Sequence, residues 1–133
     1  MFYTRSETMY LLGISSIPLC VIIADGLRHF ATRRFDRDGN RRHHMLSFAA
    51  LAHIPPGAPP EHRSYERLFV AADELGLPWE DREELFRRMA FNVLAGEFDD
   101  YPKNFSFLLR ERGAWRLAPA YDLTGSDFPP EDP

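Results

Sequence analysis

A chain of 133 residues, 44% hydrophobic and 14% aromatic, carries enough apolar side chain for one compact core and too little length for two ordinary domains. Sixteen basic against twenty acidic side chains leave a net charge of −4, without the basic excess that a direct nucleic-acid binder uses to neutralise phosphates, so no direct contact with DNA or RNA is expected. The single cysteine, Cys20, cannot form an intramolecular disulfide, which suits a reducing interior and makes the cytoplasm the expected location.

The apolar run from Met9 to Ala24 is interrupted by Gly13, Ser15, Ser16 and Pro18 and falls short of a membrane span, and Arg5 and Glu7 ahead of it disfavour a signal peptide. Leu19–Ile23 and Arg28–Phe35, joined through Ala24-Asp25-Gly26, predict a hairpin in which Cys20 is a small core residue. Asp36 to Asn40 predicts a turn, and Met45 to His53, dense in helix formers and stopping before Pro55, predicts a short buried helix. Four prolines and a glycine between residues 55 and 60 predict a surface loop. Ser64–Leu75 predicts a second helix with Gly76 as its stop. A third starts near Asp81 with a capping box to Glu84, and its apolar face is read as Leu85, Met89 and Val93 with Phe86, Ala90 and Leu94. Phe105–Leu109 and Trp115–Ala118 predict a second hairpin, and the pattern is lost after Gly125.

Chemistry concentrates around that second hairpin. A loop holding Asp99 and Asn104, five positions apart, precedes it, and Asp122 follows it. Phosphoryl transfer of the protein-kinase type places its parts in this order: an Asp that takes the hydroxyl proton, an Asn that binds magnesium, and a further Asp on the same metal. Magnesium asks for hard oxygen ligands, which Asn104 and Asp122 offer, and Lys103, the sole lysine, adds a cation in the same loop. On spacing alone, Asp-Asp-x-x-Lys-Asn equally describes a solvated turn after a helix. A carboxylate-based metal hydrolase using Asp99, Asp100 and Asp122 is a further reading, without the usual histidine ligands.

In sequence order, Thr32–Arg37, His44–Ala50, Glu84–Leu94, Asp99–Phe107 and Trp115–Thr124 resemble the HipA-like serine/threonine kinases of bacterial toxin–antitoxin systems, over about residues 13 to 125. The resemblance implies an α+β, partial protein-kinase-like fold: an N-terminal hinge hairpin, three main helices, and a C-terminal hairpin carrying the catalytic and metal loops. It implies a single segment, residues 1–133, divided into a small-lobe and hinge remnant (1–36), a large-lobe core (37–125) and a disordered tail (126–133). It further implies Asp99 as the catalytic base, Asn104 and Asp122 on Mg2+, and Tyr101, Lys103, Asn104, Tyr121 and Asp122 around ATP, with Arg33, Arg34 and Phe35 as the hinge that meets adenine. The implied partners are a helix-turn-helix antitoxin of the HipB type, which supplies the DNA binding, and a protein substrate such as an aminoacyl-tRNA synthetase.

Tyr101 stands where the family loop has a His, no lysine precedes Lys103, and no glycine-rich loop is present. The expected chain is therefore the middle of a kinase, truncated, with a catalytically dead remnant that binds an antitoxin or an intact kinase as the alternative. Outside this constellation, His43-His44 suit a solvated turn better than a metal site. Arg87 and Arg88 are expected on a solvated helix face paired with nearby acids, and Tyr65, Trp79 and Trp115 as core or rim anchors.

Overall fold

The structure is a computed structural model that describes residues 12–15, 19–95, 102–110 and 113–122. Two antiparallel strands, β1 (Leu19–Ala24) and β2 (Leu27–Thr32), meet through Asp25 and Gly26, both with positive φ (51° and 75°), the backbone that a two-residue hairpin turn of matching twist demands. The expected hairpin forms, with its second strand ending at Thr32 rather than Phe35; the side chain of Cys20 lies outside the described residues. The expected turn at 36–40 is a minimal hairpin of its own, in which β3 (Arg37–Asp38) and β4 (Arg41–Arg42) flank Gly39 and Asn40.

The next segment departs from expectation. Residues His44–Ser47 form a strand, β5, and the helix α1 is confined to Phe48–Leu51. Helix propensity at Met45–Ser47 yields to strand pairing, because β5 is antiparallel to β6 (Ser106–Leu109) in the register His44↔Leu109 through Ser47↔Ser106. Ser47 then caps α1, its Oγ accepting from Ala50 N at 3.2 Å. His53 ends the turn in the left-handed region (φ 52°), and Ile54 N donates back to Ala49 O at 2.8 Å. The proline-rich stretch leads into a 3-10 turn, Pro60–Arg63.

Helix α2 (Tyr65–Glu74) begins at the Ser64 cap and stops at Gly76 as expected, with φ 66° at the glycine and Leu77 N bonded to Ala72 O. Helix α3 (Trp79–Ala95) starts two residues before the expected Asp81. The capping box is absent: the Asp81 carboxylate reaches the side chain of Arg116 and the backbone N of Leu117, and Glu84 accepts from Ser15 N. The expected apolar face is also displaced. Leu85 is fully buried, but Phe86, Val93 and Leu94 are 56%, 71% and 80% exposed, and the inward stripe is Asp81, Leu85, Arg88, Phe91 and Asn92. Trp79, expected as an anchor, is exposed, whereas Tyr65 and Trp115 do pack against the core.

A 3-10 turn, Pro102–Asn104, precedes β6, which lies between β5 and β7 (Trp115–Leu117) in a three-stranded antiparallel sheet. The second expected hairpin is therefore present and gains β5 as a third strand. The main core joins Phe48, Leu68, Ala72, Leu77 and Leu85 to Phe105 and Phe107, so α1, α2 and α3 close over one face of this sheet. A second cluster, Ile14, Phe91 and Ala120, packs α3 against the segment after β7. The result is a mixed α/β fold with three helices and small antiparallel sheets among the described residues, and no helix there is long and apolar enough to cross a membrane.

Candidate functional site

Two polar groups on the inner face of α3 fix the segment that carries Tyr121 and Asp122. Asp81, at the sheet side of the first turn, accepts from Arg116 Nε at 2.7 Å, Arg116 Nη2 at 2.8 Å and Leu117 N at 2.8 Å. This hydrogen bond holds the Arg116 guanidinium above its ordinary pKa. One and two turns on, the Glu84–Arg88 pair sits almost entirely out of solvent, with Arg88 Nε on Glu84 Oε1 at 2.9 Å. Arg88 is 4% exposed, so it belongs to the interior and not to the solvated face expected for it, although its acidic partner is the local one anticipated. Burial lowers its pKa and the Glu84 carboxylate opposes that shift.

The guanidinium also donates to two backbone carbonyls, Ala118 O at 2.9 Å and Ser15 O at 3.4 Å, while Ala120 N donates to Ser15 O. A planar cation with several donors in a fixed fork suits this task, which a lysine would meet with a single point charge. The chain leaving β7 is thus stitched to α3 at residues 116, 117 and 118 and to Ser15 at 120. It delivers Tyr121 and Asp122 to one place.

At that place Tyr121 meets three other segments. Its hydroxyl donates to Lys103 O at 2.7 Å and lies 2.5 Å from Ser106 Oγ. Its ring stacks on Phe35, with centroids 5.8 Å apart and planes 27° from parallel. Burial pushes the phenol above its ordinary pKa, against the effect of the Ser106 hydrogen bond, so it is a neutral donor at physiological pH. Asp122, next along, is exposed and adopts φ 55°, a left-handed conformation that Asp tolerates better than most residues.

Of the residues singled out in the sequence, the fold therefore brings Phe35, Lys103 and Tyr121 into direct or adjoining contact, with Asn104 and Asp122 each next to a bonded partner. Arg34 is turned to Asp36, with Nε to Oδ1 at 2.8 Å and Nη2 to Oδ2 at 2.6 Å, and holds that carboxyl below its usual range. Arg33 is exposed. Asp99, Asp100 and Tyr101 lie outside the described residues. Among the described residues no three His, Cys, Asp or Glu side chains gather as a metal cluster, so His43 and His44 have no such partners there.

The contact of Ser106 with Tyr121 was not foreseen. A serine inside the apolar run Phe-Ser-Phe-Leu-Leu is the available signal, since a buried hydroxyl in a strand needs a partner.

Comparison with known proteins gives this arrangement its relatives. A solved structure of HipA from Shewanella oneidensis MR-1, part of a toxin–antitoxin system in complex with HipB and operator DNA, superposes with a TM-score of 0.74 at 21% identity. The superposition covers 92% of this chain and 33% of that one, and shows the fold. A protein of Sinorhizobium fredii named "Putative kinase Y4dM" is 31% identical over 111 residues, which are 84% of this chain and 27% of that protein. The chain thus spans about a third or less of the length of these relatives. The family model for the HipA-like C-terminal domain matches residues 3–132, and the chain belongs to that family.

Proposed function

We propose that this chain supplies the catalytic-loop and metal-loop portion of an ATP- and magnesium-dependent serine/threonine protein kinase of the HipA toxin family. The observation that carries the reading is the convergence on Tyr121 of Phe35, of the Lys103–Asn104 turn, and of the backbone leading into Asp122. In this family member those segments correspond to hinge, loop and second metal element, within a division of the chain at residues 36 and 125.

The donor set suits magnesium. Asn104 and Asp122 offer hard amide and carboxylate oxygens, few enough to leave room for waters and phosphate oxygens. Bound ATP and magnesium would supply the phosphoryl group and the charge neutralisation that its transfer requires. The chain's own residues have these roles. The Asp99 carboxylate accepts the proton of the substrate hydroxyl as that oxygen bonds to phosphorus and the bond from phosphorus to the ADP oxygen breaks. Asn104 and Asp122 would hold the metal, the Lys103 ammonium would stand by the phosphates, and Arg33 to Phe35 would meet the adenine mainly through backbone groups, with Tyr101 in the loop between base and lysine. The protein substrate is of the aminoacyl-tRNA synthetase kind, and a helix-turn-helix antitoxin of the HipB type is the partner that carries DNA binding.

The test is phosphate transfer from γ-labelled ATP with magnesium, alongside calorimetric affinity for Mg-ATP. Asp99→Ala is expected to abolish transfer while leaving nucleotide affinity within about threefold, as removal of a base should. Full activity in that variant rules the reading out.

A further inference from the structure

We propose that the Tyr121 hydroxyl is a positioning group, which sets the distance between the Lys103–Asn104 turn and Asp122 and is not itself a ligand for nucleotide. The donor arithmetic supports this. A phenol has one proton, and the Lys103 carbonyl can only accept, so that proton goes to Lys103 O at 2.7 Å. At the 2.5 Å contact Ser106 Oγ–H is then the donor and the phenol oxygen the acceptor. The hydroxyl is thereby spent on two groups of the protein: a backbone carbonyl one residue before Asn104, and a buried serine on the central strand β6. The adjoining residue, Asp122, follows Tyr121 directly in the chain and adopts a left-handed backbone conformation, φ 55°.

The ring has a separate task. Its stack on Phe35 links the turn to the segment between β2 and β3, on the expected adenine side. Ring and hydroxyl therefore act on different halves of the site, and different substitutions separate them. This inference rests on the kinase reading for its magnesium arm, whereas its hydrogen-exchange arm needs no ligand.

Three variants are compared with the wild-type chain: Tyr121→Phe, Tyr121→Ala and Ser106→Ala. Amide exchange across residues 102–106 is followed without ligand, and ATP affinity is titrated with and without magnesium. Tyr121→Phe is expected to speed exchange in that peptide and to weaken apparent magnesium affinity about tenfold, as loss of a partner that orients metal ligands does, with metal-free ATP affinity within about twofold. Tyr121→Ala is expected to lose both affinities. Ser106→Ala keeps the bond to Lys103 and should leave the magnesium dependence near wild type even where its melting temperature falls. Unchanged exchange at 102–106 in Tyr121→Phe overturns the proposal, as does a magnesium dependence equal to wild type or one lost equally in Ser106→Ala. A wild-type chain that binds no Mg-ATP defeats the kinase reading, and the exchange result then decides the hydroxyl tie alone.

Discussion

Asp81→Ala isolates the contact on which the geometry of β7 depends. The Asp81 side chain is 10% exposed and satisfies three donors, two from Arg116 and one from Leu117 N. Their contributions are unequal. The Arg116 side chain is 48% exposed, so its pair with Asp81 is worth at most about 1 kcal/mol after solvent screening. The Leu117 N–H is buried, and once stripped of its acceptor it costs about 1–3 kcal/mol. The variant is therefore expected to lose about 2–3 kcal/mol in total, a fall of about 1–2 M in urea midpoint for a small domain. Asp81→Asn keeps an oxygen for Leu117 N and should lose less than the alanine variant. Arg116→Ala should lose under about 1 kcal/mol, and a double-mutant cycle should return a coupling of that size. An Asp81→Ala cost below about 0.5 kcal/mol, or an Arg116→Ala cost equal to it, would show that the buried amide is not what this carboxylate serves.

The register of α3 is tested by adjacent residues: Leu85→Ala should cost about 2–5 kcal/mol in chemical denaturation, and Phe86→Ser less than about 0.5, a ranking that reverses if the helix is rotated. Arg34 holds Asp36 below the ordinary carboxylate range, so the stability this pair contributes is present above about pH 4 and is lost as pH falls through the folded value. Wild type should lose melting temperature on acidification more steeply than Asp36→Asn, and superimposable pH profiles would contradict this. Burial raises the Tyr121 phenol, so the stability linked to its neutral form is present below about pH 10 and is lost as pH rises through the folded value. Ultraviolet titration should show a late tyrosine component that is absent from Tyr121→Phe; an identical curve for that variant apart from its lost amplitude at ordinary pH would count against it.

What could be read from the sequence divides by the range of the interactions involved. Asp25-Gly26 announces its hairpin because the turn's positive φ values are a property of those two residues. Ser64 and Gly76 announce the ends of α2 for the same reason. His44–Ser47 could not be read this way. Its strand exists through pairing with Ser106–Leu109, far along the chain, and local composition favoured a helix. The candidate site follows the same rule. Asn104 and Asp122 were visible as residue types in sequence order, while the hydroxyl that joins their segments is visible in three dimensions alone.

The misreading of α3 has a more specific cause. Hydrophobic periodicity assigns the buried face to apolar side chains, but the surface opposite α3 includes backbone donors and acceptors at Ser15, Leu117 and Ala118 that need partners. Asp81, Leu85, Arg88 and Asn92 recur at intervals of four, three and four, a stripe as regular as any apolar one, and three of the four are polar. Turning this stripe inward lets Asp81 and Arg88, with Glu84 beside them, satisfy those backbone groups, and leaves Phe86, Val93 and Leu94 exposed. The exchange stabilises the geometry of the chain after β7 at the expense of apolar burial. A helix that anchors the approach to Asp122 gains more from fixed hydrogen-bond directions than from interchangeable apolar contacts, since a displacement there moves the carboxylate on which the proposed chemistry depends.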